Sequence, residues 1–165
     1  MSSHITIRKY TPADLPAMLQ IWNSVVAEGT AFPQEECLSG EAGRDFFASQ
    51  SYCGVAACKS SGQILGLYIL HPNNVGRCGH ICNASFAVHS QYRGLHIGEK
   101  LVTDCIQQAR QVGFKILQFN AVVATNTHAR HLYERLGFTL LGTIPKGFRN
   151  IAGQYVDICV YYIAL

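Results

Sequence analysis

Arg93-Gly94-Leu95-His96-Ile97-Gly98 stands between a strand-like segment, Ala84 to Val88, and an apolar helical stretch that opens near Gly98. A glycine loop at a helix N-terminus offers unpaired backbone N–H groups and the positive end of the helix dipole, the two things a pyrophosphate requires. The loop lacks the Gly-Lys-Ser/Thr of a P-loop NTPase and the second glycine of the GxGxxG dinucleotide pattern. On these residues alone an anionic cofactor and an ordinary strand-to-helix turn are equally good readings. Cys78, His80 and Cys82 alternate as metal ligands on one strand face would. A fourth ligand is missing and the spacing is not that of zinc sites, so no metal is expected. No cysteine stands in a recognisable nucleophile setting with a paired His and Asp, which argues for direct transfer chemistry over a covalent cysteine intermediate.

The elements that position these residues follow from period and punctuation. A strand at Ile5 to Tyr10 leads to Thr11-Pro12-Ala13-Asp14, a helix start with a cap, a proline in the first turn and an acid at the positive end. Leu15, Met18, Leu19, Trp22 and Val26 then follow helical spacing and read as core. Glu28 to Ser39 is a loop that could form one wall of a pocket, and a short helix spans about Gly43 to Ser49. Strands follow at Tyr52 to Lys59 and Ile64 to Leu70, joined by the turn Ser60 to Gln63, with a third at His80 to Val88. A helix from Gly98 to Val112 buries Leu101, Cys105, Ala109 and Val112. A strand at Ile116 to Val123, a helix at Thr127 to Leu136 and two closing strands complete the order. Gly113 and Gly137 stand where helix ends want a left-handed residue.

Composition narrows the class. The 165 residues are 48% hydrophobic and 14% charged, enough for one domain with a real core. The net charge of +3 is spread along the chain without a basic patch, so neither nucleic acid nor an anionic membrane is an expected partner. Met1 to Tyr10 has no signal-peptide core and no run approaches a membrane span. The seven cysteines read as free thiols, and a cytoplasmic protein is expected.

Two motifs in order carry a family resemblance. Arg93 to Gly98 resembles the pyrophosphate loop of the GNAT (GCN5-related) N-acetyltransferases, Gln/Arg-x-x-Gly-x-Gly/Ala, with His96 where the pattern prefers glycine. Asn126 to Phe138 matches that family's NxxAxxLYxxxGF signature in full. The resemblance covers nearly the whole chain and implies an α/β (α+β) fold, a mostly antiparallel sheet of six to seven strands with about four helices. It implies acetyl-CoA as co-substrate, held by the backbone of Phe86, Ala87 and Val88 and by the amides of Arg93, Gly94, Leu95, His96, Ile97, Gly98 and Glu99. Asn126, Ala129 and Tyr133, at i, i+3 and i+7, would share a face at the thioester end. Tyr133 matches the family's general acid, whose phenol protonates the departing thiolate.

The acceptor is the harder question. Phosphinothricin-type members place a Glu base where this chain has Asn83, and an amide cannot take a proton. Asn83, Asn120 and Asn126 look like the polar set of fungal acetyltransferases acting on proline-like imino acids. In that likeness Asn83 and Asn120 orient a small-molecule amine and its carboxylate, and water carries the proton away. Phe148 and Arg149 would cover or neutralise the carboxylate. A protein or peptide amine is the alternative acceptor, and a non-catalytic coenzyme A sensor the alternative of another class. The aromatic strand Tyr155 to Leu165 suits either a homodimer contact or an internal strand.

Overall fold

In the computed structural model, which describes residues 4–165, the chain runs β1 (Ile5–Lys9), α1 (Leu15–Glu28), α2 (Gly40–Ala48), β2 (Tyr52–Cys58), β3 (Ile64–Pro72), β4 (Ile81–Val88), α3 (Ile97–Val112), β5 (Ile116–Val123), α4 (Thr127–Arg135), β6 (Thr139–Arg149) and β7 (Tyr155–Ala164). The order is the expected one, with boundaries moved by one to three residues. The polar start, Met1 to Ser3, lies outside the described residues.

One seven-stranded sheet has the order β1-β2-β3-β4-β5-β7-β6. Every neighbouring pair is antiparallel except β4 with β5. Residues of β3 are buried almost without interruption because helices cover both faces. Leu101 and Cys105 of α3 and Leu132 of α4 pack with Leu117, Phe119 and Phe138 on one face. Met18, Trp22 and Val26 of α1 and Phe47 of α2 pack with Val55 and Leu67 on the other. Val112, expected in the core, is 47% exposed, since it closes α3 beside Gly113, whose φ of 105° ends the helix. Gly137, at φ 94°, does the same after α4.

Two expectations change with the topology. The aromatic strand Tyr155–Ala164 is internal, paired to β5 on one side and β6 on the other, so it is not the sheet edge a strand-mediated dimer would use. Cys78 lies in a 3-10 turn and His80 precedes β4, so Cys78, His80 and Cys82 do not share one strand. Cys82 is buried and its thiol donates to the Ile116 carbonyl.

The start of α1 is tied down by Asp14, which is 7% exposed. Its carboxylate accepts from the Arg8 guanidinium at 2.7 and 2.9 Å and from the Thr11 N–H at 2.7 Å. Arg8 chiefly, and Thr11, hold its pKa below the ordinary carboxylate value against the opposing effect of burial. A depressed carboxyl stabilises the fold above its unfolded pKa, and that contribution is lost as pH falls through the folded value. Asp14→Ala is expected to cost about 2 kcal/mol at pH 7, because it orphans Arg8 and the Thr11 amide together. Denaturant melts of variant and wild type at pH 7 and pH 3 check this: the gap should narrow at the lower pH.

Candidate active site

β4 and β5 are eight residues each, yet they pair only at Ile81 with Ile116 and Cys82 with Leu117. Beyond Cys82 the two strands part. The other edge of β4 is fully used, for its register with β3 runs unbroken from Cys82 to Val88. The His89 N–H donates to the Leu65 carbonyl and the Ile81 carbonyl accepts from Asn73 N–H. Antiparallel pairing alternates, so residues 81, 83, 85, 87 and 89 bond to β3 while Ala84, Phe86 and Val88 turn their N–H and C=O groups into the split. The Ala84 N–H is taken by the Asn83 side-chain oxygen at 2.7 Å. Phe86 and Val88 remain free for a ligand with amides of its own. Ala87, expected beside them, is committed to the ladder with Leu67.

The loop at the mouth of this split is rich in donors. Among the described residues the backbone N–H groups of Arg93, Gly94, Leu95, His96, Ile97, Gly98 and Glu99 donate to no backbone group. Gly94 has φ 81° and His96 φ 58°, so His96 adopts the left-handed conformation that the family pattern gives to glycine. Its imidazole points outward, with the side chain 75% exposed and 3.5 Å from Glu99. Arg93 pairs with Glu28 at 2.7 Å. Both side chains are more than a third exposed, so a phosphate can displace that pair at little cost.

Tyr133 lies on the α3–α4 face, its ring 4.6 Å from that of Phe119, 5.6 Å from Phe138 and 6.0 Å from Tyr161. Burial, and secondarily Cys105, push its phenol above the ordinary tyrosine range, and no hydrogen bond contributes. The hydroxyl is therefore a proton donor without a protein partner. Asn126 caps α4, its side-chain oxygen accepting the Ala129 N–H at 3.3 Å, so it sits at the head of that helix rather than on its face.

The opposite face of the split, toward α1 and α2, is polar. Alternation from buried Cys82, Ala84, Leu117 and Phe119 sends Asn83, Ser85, Gln118 and Asn120 to that side. Alternation from Leu67 and Ile69 adds His71, the cross-strand partner of Asn83. The Asn120 oxygen accepts from Gln118 at 3.0 Å and Asn73 at 3.2 Å, and its nitrogen donates to the Asn73 oxygen at 2.6 Å. With both lone pairs engaged, Asn120 has one N–H left to offer. Phe148 is buried against Val123 and Ile158, and Arg149 pairs with Glu35 of the α1–α2 loop. Neither is free to meet a carboxylate as expected. Instead they fasten the β6–β7 hairpin to that loop, helped by the Ile151 N–H on the Gly29 carbonyl at 3.0 Å.

A parallel strand pair that parts beside a helix-opening donor loop agrees with the comparisons. The family model for the acetyltransferase (GNAT) family matches residues 18–138. The chain belongs to the acetyltransferase (GNAT) family. The solved structure of a GCN5-related N-acetyltransferase from Kribbella flavida superposes with a TM-score of 0.92, at 33% identity and 100% coverage of both chains. N-acetyltransferase aca1 of Schizosaccharomyces pombe is 40% identical over 99 residues, 59% of this chain and 47% of that protein. The chain thus spans about half the length of that relative. The L-methionine sulfoximine/L-methionine sulfone acetyltransferase of Pseudomonas aeruginosa is 28% identical over 159 residues, 93% of this chain and 90% of that one.

This family uses acetyl-CoA as acyl donor, and the acetyltransferase has groups that fit it: free Phe86 and Val88 amides for the pantetheine arm and free N–H groups at 93–99 for pyrophosphate. No helix among the described residues is long and apolar enough to cross a membrane. Because the Tyr133 phenol is raised, its acid form persists through pH 10. Activity at saturating acetyl-CoA is expected to show no descending limb below that pH, read as initial rate against pH after subtracting thioester hydrolysis.

Proposed function

We propose that the chain transfers acetyl from acetyl-CoA directly to the amine of a small amino or imino acid, or an analogue of one. The observation that carries this reading is the state of two side-chain amides on the α1–α2 face of the split. Asn83 spends its oxygen on Ala84 and Asn120 spends its oxygen on Asn73 and Gln118. What each has left is N–H, which suits a carboxylate and gives nothing to an ammonium. A relative named for methionine sulfoximine and methionine sulfone, both amino-acid analogues, supports the same class.

In the reaction the amine lone pair attacks the thioester carbonyl carbon, the C–N bond forms, and the C–S bond breaks. Tyr133 gives its proton to the departing sulfur. Asn83 and Asn120 hold the acceptor through its carboxylate, and neither can take the ammonium proton. Asn83→Ala and Asn120→Ala are each expected to raise the KM for an amino-acid acceptor about tenfold, since each deletes one hydrogen bond to a charged group. The KM for acetyl-CoA should not move. Acceptor KM values equal to wild type in both variants would refute the assignment.

A further inference from the structure

We propose that His71 is the general base, taking the proton from the acceptor's ammonium before attack; this rests on the reading that the acceptor lies on the Asn83 face. His71 is the cross-strand partner of Asn83 in an unbroken β3–β4 register. It shares the parity of Leu67 and Ile69, which face α1 and α2, so its side chain stands on the acceptor side of the sheet next to Asn83. It is half-buried, as Asn83 is.

The hydrogen bonding of the ring fixes its chemistry. Nδ1 lies 2.9 Å from the Pro72 carbonyl oxygen. A carbonyl only accepts, so Nδ1 carries the hydrogen and, in the neutral ring, Nε2 keeps its lone pair. That is the tautomer a base needs, locked by a backbone contact. Elimination on this face gives the same residue. His71, Asn73, Asn83, Ser85, Gln118 and Asn120 are its polar strand and strand-end side chains, and only the imidazole among them takes up a proton near neutral pH. The proton passes from the ammonium nitrogen to Nε2, the freed lone pair attacks the thioester carbonyl, Tyr133 protonates the sulfur, and the imidazolium returns its proton to water.

The test compares two classes of acceptor in wild type, His71→Ala and His71→Gln. Glutamine still donates to the Pro72 carbonyl but cannot serve as a base. With an ordinary α-amino acid, whose amine is protonated at pH 7, both variants should lose about 10²-fold in kcat/KM or more. With the matching α-hydrazino acid, whose amine is already neutral, they should lose less than about threefold, because no proton has to be removed before attack. An unchanged KM for acetyl-CoA certifies the fold. Equal losses on both acceptors, or variant rates within threefold of wild type on the amino acid, would overturn the assignment. A wild type that turned over only peptide amines would instead sink the acceptor reading, and the same comparison on the peptide and its hydrazino counterpart would still decide His71.

Discussion

Tyr133→Phe is expected to lower kcat by about 10²–10⁴ while leaving the KM for acetyl-CoA within about twofold. The ring stays wedged among Phe119, Phe138 and Tyr161, so the packing that places α4 survives. No protein group hydrogen-bonds to the hydroxyl, so removing it orphans no buried partner and should not weaken the fold. The whole loss then belongs to chemistry. A departing thiolate that must leave without a proton is the poorer leaving group, and the deficit should shrink with a thioester whose thiol is more acidic. Steady-state rates with acetyl-CoA, alongside a thermal melt, check both halves. A variant with wild-type kcat would remove Tyr133 from the mechanism.

The second large effect has the opposite kinetic signature. Gly94→Val is expected to raise the KM for acetyl-CoA about 10- to 100-fold with kcat at saturation within about threefold. A Cβ at Gly94 meets nothing within 4 Å, so space is not the obstacle. The obstacle is φ 81°, which a β-branched residue does not hold. The loop must rearrange, and the N–H groups of residues 93–99 lose their common aim at a phosphate. His96 already spends part of the loop's tolerance by standing at φ 58°. Since the loop is exposed at Arg93, Gly94, Leu95 and His96, stability should change little. Titration with coenzyme A by calorimetry separates this loss of binding from any loss of turnover.

Local patterns in the sequence announced the donor loop, the Asn126 to Phe138 helix and the alternation of elements, because each is written in residues close together in the chain. The split was not legible. β4 and β5 each read as an ordinary strand, and nothing local says that they pair at two positions and then part. The polar face was legible only in pieces. Asn83 and Asn120 stood out, but His71 and Asn73 join them through the β3–β4 register and a bond between residues 47 apart in the chain. The register of Leu67, Ile69 and His71 against Ala87, Ser85 and Asn83 was the signal that could have found them. Phe148 and Arg149 were misplaced for a physical reason. β6 shifts register between Leu140 and Gly142 and again between Ile144 and Phe148, so counting by twos along the strand loses the face. Phe148 turns inward, and Arg149 finds Glu35, 114 residues away.

The measurement that bears most directly on the central claim is release of free thiol from acetyl-CoA, wild type beside Tyr133→Phe, across amino acids, proline-like imino acids, their α-amides and N-terminal peptides. The account predicts turnover of at least one small acceptor with a free carboxylate, a weaker rate with its α-amide, and near loss of both in the variant. Coenzyme A binding without turnover of any acceptor, or turnover confined to peptides, would contradict it.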